Sequence, residues 1–515
     1  MTENRFRNLL FLCAALLVLA ASLVVRSNVA LKHRFPEGDE GPWLRLATRA
    51  FTPQFMTSNV IEHDLYPRRS LPHPEDNRSP LYPLLIAPVI LLSHDPFAAG
   101  QIVNCACWIL TCVIVGWGVF TTFGALAALL TLLFMAVSPL LIIQTAHIYP
   151  DILVACGFWF FVFNGAQIMK SRRSALGFGV LLGLLFLLKT SAVFLLPAVL
   201  FYFLKYDKTP FVKIKALLFS AGFLCLAIPW MVKNILIFGS PLYQFTGVVL
   251  FTDSLKDVFG VGVPHPTLAG YVGAHGTVFT FVIRPLKGFF ELITHYSQFD
   301  HQLSVALAPL AALGIWTVRR RWKAGLGLLL FSIPYLGVMS YTACYFWVDR
   351  YLILYYVLVY ALAACGVSWI AGRLRSRIWK SVTVLALVSA TMIPVAYPLE
   401  YYVSGRGSER EIDAHAKTII RRIQHSVPDS SSVLSSFLGL YGYMHDVPCV
   451  NVLEFKSAAD IGVLARAYRI QSALLDTVND KPTIQLLRDW AGNENVVAAE
   501  QEGPFRWYRI HQQQP

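Results

Sequence analysis

The chain has 515 residues, of which 56% are hydrophobic and only 14% charged, with a formal net charge of +13. Soluble domains carry roughly 25% charged residues, and the surfaces of several such domains need more polar cover than this chain supplies. A soluble multidomain protein, a disordered chain, a coiled coil and a small disulfide scaffold are therefore excluded. What remains is a polytopic α-helical membrane protein.

In chain order, the first apolar run is about 8–25 and follows Arg5 and Arg7. It reads as a span with the N-terminus inside, since a crossing needs about 20 apolar residues and short cytoplasmic loops collect Lys and Arg. A cleavable signal peptide is disfavoured, because the run is long and no clear small-x-small site follows it. A first outer loop, 26–100, comes next. Within it, 81–92 is too short to span and predicts a helix dipping into the outer leaflet, bracketed by Pro80 and Ser93-His94-Asp95-Pro96.

Ten further spans are predicted at about 101–121, 125–145, 150–169, 174–188, 190–204, 216–232, 302–318, 324–342, 351–371 and 381–399, making eleven and placing the C-terminus outside. Four basic clusters mark the inner loops: Lys170/Arg172/Arg173, Lys205/Lys208/Lys213/Lys215, Arg319/Arg320/Arg321/Lys323 and Arg373/Arg375/Arg377/Lys380. With this placement the inner side holds 17 Lys/Arg and two acids, and the outer side 26 Lys/Arg and 28 acids. The positive charge is thus an orientation signal, and a nucleic-acid partner drops out. Segment 174–204 must cross twice; its short arms each reach about 22 Å, which keeps the tip Lys189-Thr190 below the outer surface.

Most extramembrane mass then lies outside, in loops 26–100 and 233–301 and in the tail. The tail changes composition at Glu400. An amphipathic stretch near 409–425, strand-like runs at 433–434 and 473–475, a helix near 483–491 and strands near 495–499 and 505–510 predict an extracytoplasmic α/β domain over 400–515, beside a transmembrane domain over 1–399. Seven of nine cysteines fall in spans as small hydrophobes; Cys344 and Cys449 lie outside, and whether they pair is open.

Charged groups at membrane depth are costly and usually functional. Here they gather in one layer at the outer interface: Asp39 and Glu40 after the first span, Asp151 opening the fourth, Lys189 at the hairpin tip and Arg350 opening the tenth. Gly38-Asp39-Glu40-Gly41 offers a general base for an acceptor hydroxyl, or simply acids favoured by a helix N-terminus. Asp151 also suits a helix start, and His147 and Tyr149 suit an interface or the lining of a site. Lys189 and Arg350 suit a lipid-borne phosphate, with help from the loop cations Arg68, Arg69 and Arg78.

Together these motifs resemble the GT-C superfamily of lipid-linked-sugar glycosyltransferases, nearest to the family-39-like groups: protein O-mannosyltransferases, the lipid A aminoarabinose transferase and the RgtA-type bacterial enzymes. The resemblance rests on Gly38-Asp39-Glu40, Tyr149-Pro150-Asp151, Gly183 through Lys189-Thr190, Pro229-Trp230 with Asn234 and Phe238-Gly239-Ser240-Pro241, and Asp349-Arg350-Tyr351-Leu352. It implies a GT-C-like architecture, a polyprenyl-phosphate-sugar donor and inverting transfer to a lipid, glycan or protein acceptor on the outer face. Asp39 would be the base, Glu40 would support the loop or the acceptor, Asp151 would line the cavity, and Lys189 and Arg350 would hold donor phosphate. Many relatives carry Arg before the motif's Asn, where this chain has Lys233-Asn234. No second acid flanks Asp151 as in metal-binding members, which argues against an obligatory divalent metal. A transporter or lipid flippase, and a glycan polymerase or ligase, are the alternative readings.

Overall fold

The computed structural model describes residues 3–32, 39–58, 60–61, 72–168, 171–206, 209–243, 250–253, 267–299, 301–319, 333–343, 350, 353–376, 378–390, 418–419, 422–423, 425–426, 431–436, 448–451, 457–476, 480–502 and 505–511. The first half runs α1 (Glu3–Lys32), α2 (Glu40–Thr48), β1 (Thr57–Ser58), β2 (Val60–Ile61), β3 (His73–Pro74), α3 (Leu81–Ser93), α4 (Pro96–Phe123), α5 (Ala125–Val137), α6 (Pro139–Ala146), α7 (Asp151–Ile168), α8 (Arg172–Leu188), α9 (Leu195–Tyr206) and α10 (Val212–Phe238). There follow α11 (Leu268–His275), α12 (Arg284–Phe299), α13 (His301–Val318), α14 (Ile333–Ala343), α15 (Ile353–Arg373) and α16 (Ile378–Ala390). The tail adds β4 (Ser432–Ser435), β5 (Cys449–Asn451), α17 (Ala458–Tyr468), β6 (Ile470–Asp476), α18 (Lys481–Ala491), β7 (Val496–Glu502) and β8 (Phe505–Ile510).

This is a mostly helical integral membrane protein. Four described helices are long and apolar enough to cross a bilayer alone, or five when α5 and α6 are taken as one bent span. That is fewer than the eleven expected from hydropathy. Several expected spans are short or broken among the described residues: α14 begins only at Ile333, α16 ends at Ala390, and the parts missing from both lie outside the described set. The expected hairpin at 174–204 is α8, a 3-10 turn over Thr190–Phe194, and α9. The expected dipping helix is α3, whose Tyr82 and Ile86 are buried while Leu91 and Leu92 face outward.

Two expectations are corrected. The first loop does not begin at residue 26, because α1 continues to Lys32. Arg26 is fully buried inside the bundle, stacked 3.8 Å from the centroid of the Trp108 ring. Second, 125–145 is not one straight helix. It breaks at Ser138, with a 62° bend between α5 and α6. A break leaves carbonyls at the end of α5 without intrahelical donors, and Arg26 supplies them: Nη2 donates to Met135 O and Nη1 to Ala136 O, both at 3.0 Å. A cation that hydropathy assigned to a loop thus satisfies the backbone at this bend.

Helices approach closely where side chains vanish. Gly179 of α8 faces Gly222 and Phe219 of α10, Gly183 faces Phe223 and Leu226, and a Cβ at Gly222 would lie 2.5 Å from Leu176 O. At the end of α10, Gly239 takes φ 77°, the left-handed conformation that stops a helix. Asn234, buried within that last turn, donates to the carbonyls of Pro241 (3.4 Å) and Tyr243 (3.3 Å). The Asn234…Phe238-Gly239-Ser240-Pro241 motif is thereby a helix stop that returns the chain onto α10.

The tail residues form a six-stranded sheet of order β2-β5-β4-β6-β8-β7. Strands β2, β5, β4 and β6 run parallel, and β8 and β7 continue antiparallel. Leu434, Val450, Ala473, Leu475, Tyr508 and Ile510 pack one face of it against Ile461, Leu464 and Ala465 of α17 and Leu487 of α18. The sheet is not confined to 400–515, because its edge strand β2 comes from the first loop. A two-residue strand has no hydropathy signal of its own, so this tie between loop and tail was invisible in the sequence. Cys449 lies buried in β5, and burial pushes its thiol up to about 12. Cys344 lies outside the described residues.

Candidate active site

Asp39 occupies the position before α2, yet its side chain makes no capping hydrogen bond. It reaches instead to two guanidinium groups: Arg350 Nη2 at 2.6 Å on Oδ2 and Arg78 Nη2 at 3.3 Å on Oδ1. The explanation of Asp39 as a dipole-favoured cap therefore does not describe its side chain. Arg78 is buried and held by its neighbours. Glu75 Oε1 accepts from the backbone N–H groups of Asn77 (3.0 Å) and Arg78 (3.1 Å) and lies 3.4 Å from Arg78 Nη1. Lys233 of α10 donates to the Glu75 carbonyl at 2.8 Å while lying over the Trp230 and Phe238 rings. The residue that departs from the relatives' Arg thus ties α10 to the loop carrying Arg78.

Glu40 plays a different part. It is fully buried, and Oε1 accepts the Ile148 N–H at 2.7 Å and contacts His147 Nδ1 at 2.9 Å. Asn104 of α4 donates to the His147 carbonyl and in turn accepts from Tyr82 OH at 2.7 Å. The turn 147–150 is therefore clamped by α2, α3 and α4 together. His147 stacks on Tyr149, and the Arg350 guanidinium lies 4.4 Å from the Tyr149 ring centroid. Just beyond, Asp151 opens α7, and its carboxylate pairs with Lys189 Nζ. Lys189 sits at the end of α8, where the chain turns extended before the 3-10 turn.

The residues singled out from sequence thus fall into two linked groups. Asp39, Arg350, Tyr149, His147 and Glu40 form one; Asp151 and Lys189 form the other, joined to the first through Pro150. Lys189 pairs with Asp151 and Arg350 with Asp39, so both of the expected phosphate ligands that lie among the described residues have a carboxylate on them. Arg68, Arg69 and Asp349 lie outside the described residues. Among the described residues, no group of three or more His, Cys, Asp or Glu is placed to hold a metal ion.

Residues 73–232 match the family described as dolichyl-phosphate-mannose-protein mannosyltransferase. That stretch carries Arg78, Glu75, Asp151 and Lys189, and excludes Asp39 and Arg350. The fold matches ArnT from Cupriavidus metallidurans bound to undecaprenyl phosphate at TM-score 0.59 and 13% identity, over 96% of this chain and 97% of that one. It also matches the oligosaccharyltransferase AglB from Archaeoglobus fulgidus, in complex with an inhibitory peptide and a dolichol-phosphate, at TM-score 0.62 and 12% identity, over 97% of this chain and 74% of that one. By fold, this chain is similar to ArnT and AglB over nearly its whole length. A comparison with curated proteins gives no match.

Within this fold, sequence reasoning underrated Arg78 and missed Glu75, Asn104 and Tyr82. A basic residue in a polar loop carries no local sign that it will be buried. A second polar knot was also missed. Asp253 accepts from Tyr271 OH at 2.5 Å, pairs with His275 Nε2 at 3.0 Å and lies 3.8 Å from Arg284 Nη1. Burial first, and the Asp253 hydrogen bond second, push the Tyr271 phenol well up, so it remains a proton donor there. Arg284, fully buried, also donates to the carbonyls of Thr252 (3.0 Å) and Tyr341 (3.2 Å). The knot pins α11 and α12 to the end of α14, a short way before Arg350.

Proposed function

We propose that the protein is an inverting glycosyltransferase that moves a sugar from a polyprenyl-phosphate donor to a hydroxyl acceptor at the outer face of the membrane. The carrying observation is the carboxylate of Asp39 held between Arg350 and Arg78, next to the Asp151–Lys189 pair. ArnT with undecaprenyl phosphate and AglB with dolichol-phosphate support a lipid-phosphate donor.

The resting ion pairs suggest how the site works. A carboxylate between two guanidinium groups is stabilised in its charged form and is a poor base. A donor phosphate brings oxygens that compete for the same guanidinium forks, which bind phosphate at least as well. As Arg350 and Arg78 turn to the phosphate, Asp39 loses its partners and becomes able to take the acceptor proton. The acceptor oxygen bonds to the anomeric carbon as the bond from that carbon to phosphate oxygen breaks. The proton goes to Asp39, and the electron pair leaves with the polyprenyl phosphate, whose charge the two arginines stabilise. Lys189 would add a third cation if the donor draws it from Asp151, and Arg68 and Arg69 would extend the same patch. Glu40 holds His147 and the Ile148 N–H, and with them the turn that carries Tyr149. No step here requires a divalent metal.

The reading includes a membrane portion over 1–399 with eleven spans, the N-terminus inside, and an extracytoplasmic α/β unit over 400–515 joined by β2. The acceptor is a lipid, a glycan or a protein hydroxyl. Asp39→Asn is the decisive variant: it keeps the shape and removes the base. Transfer measured with a radiolabelled polyprenyl-phosphate sugar in membranes is expected to fall by about 10²–10⁴-fold, with the protein still inserted. Turnover near wild type would remove Asp39 from the reaction, and solute accumulation without any covalent product would favour a transporter.

A further inference from the structure

The face of the tail sheet turned away from α17 and α18 carries a cavity of about 630 Å³. It is lined by Arg422, His425 and Ser426 from a helical segment and by Val497, Glu500, Trp507, Arg509 and His511, with Ala499, from β7 and β8 and the residue after them. Strand alternation explains half of this lining. In β8, Tyr508 and Ile510 enter the core on one face, so Trp507 and Arg509 stand on the other.

In β7 simple alternation would put Glu500 on the core side, opposite Val497. It does not, because the register shifts between Ala498 and Glu500: Val497 pairs with Arg509, and Glu500 pairs with Trp507. One inserted residue at Ala499 swings the carboxylate onto the cavity face, where it pairs with Arg422. Bulges of this kind re-aim side chains and are frequent beside functional sites.

The lining is cationic and rich in donors. Two guanidinium groups and two imidazoles face a single carboxylate, which is already engaged by Arg422. Trp507 is only 4% exposed, and its indole N–H is buried without a hydrogen-bond partner. Burying that donor costs about 1–3 kcal/mol, and the indole serves as a wall of the cavity between its cations. The ring face is not free for a flat base to stack on, since the Arg509 guanidinium lies 5.0 Å from its centroid. The volume lies in the range of small-molecule sites and far exceeds a bare phosphate. Cations and apolar ligands are disfavoured by the charge, nucleobases by the covered ring.

We propose that this cavity binds an anionic saccharide, a sugar carrying a phosphate or a carboxylate, with Arg422 and Arg509 on the anion, His425, Ser426 and His511 on the hydroxyl groups, and Trp507 as the wall beneath them. The site does not depend on the transfer chemistry proposed above. It gives the tail a recognition role separate from the membrane-embedded residues.

The test uses the full-length protein in nanodiscs of neutral lipid, with glucose 1-phosphate, glucuronate, glucose and inorganic phosphate as separate probes in saturation-transfer NMR and calorimetry. One or both anionic sugars are expected to bind, which also distinguishes phosphate from carboxylate. Arg509→Gln and Arg422→Gln should each weaken binding about tenfold or more. Glu500→Gln, which frees Arg422, should tighten it. Arg350→Gln should leave this binding unchanged, which separates it from donor-site binding. Melting curves of the variants register any loss of fold independently, and Arg509 is exposed enough to be changed safely. The proposal is overturned if neither anionic sugar binds, if the Arg422→Gln/Arg509→Gln double variant binds as wild type does, or if glucose or inorganic phosphate binds equally well.

Discussion

Asp39 and Glu40 are adjacent in the chain and carry the same charge, yet their surroundings give them different work. Asp39 keeps about 30% of its side chain accessible and is paired with two guanidinium groups. Glu40 has no exposure and is consumed by the Ile148 N–H and His147. Glu40→Ala would strand both partners and is expected to cost about 2–4 kcal/mol. Glu40→Gln, which still accepts the Ile148 N–H, should recover most of that; equal melting temperatures of the two variants would show that the clamp is not structural. Asp151 and Lys189 invite a double-mutant cycle. Each single neutralisation leaves a poorly solvated charge and should cost about 3 kcal/mol, while Asp151→Asn/Lys189→Met should cost less than their sum. Purely additive melting shifts would mean that the pair contributes no coupling. Asp39, Glu40, Asp151, Lys189 and Arg350 were legible because charge in an apolar chain stands out. Arg78 was named only as a loop cation and Glu75 not at all, because the polar stretch before α3 carries no sign of which of its charges fold inward.

At the scale of elements, the site depends on close helix contacts that set where helix ends lie. Lys189 ends α8, and α8 is held against α10 through Gly179, Gly183 and Gly222. Gly222→Val would drive a side chain into the α8 backbone, which cannot yield as a flexible side chain does. The expected result is several kcal/mol of destabilisation and reduced transfer; unchanged melting and turnover would show that the two helices can separate without consequence. Hydropathy placed α8 and α10 well because each is a continuous apolar run. It drew 125–145 as one helix because Ser138-Pro139 interrupts apolar character too briefly to register. The bend there is read only from the backbone, as is its satisfaction by Arg26 from a helix more than a hundred residues earlier.

For the whole molecule, the arrangement of inner basic clusters makes a prediction about sidedness. A single cysteine introduced at Ser457, in a cysteine-free background, should react with a membrane-impermeant maleimide on intact spheroplasts. Reaction only after permeabilisation would place the tail inside and remove the outer-face reading. The tail sheet itself was partly legible: β4, β6, α18, β7 and β8 fall where short apolar runs and amphipathic periodicity indicate. The parallel strand β5, the helix α17 and above all β2 were not, because parallel pairing joins segments with no turn between them to announce it.

The amino-acid sequence alone determined the membrane class and the layer of charged residues, because burying charge in lipid is so costly that composition and spacing must show it. The helix stop after α10 is local chemistry within a few residues, but the sequence reading ended that span at 232 and took Asn234 and Gly239 only as parts of a motif. Tertiary structure alone decided which carboxylate meets which cation, which loop arginine is buried and which strand completes the tail sheet. Those outcomes depend on contacts between segments far apart in the chain, and no local preference records a partner that distant.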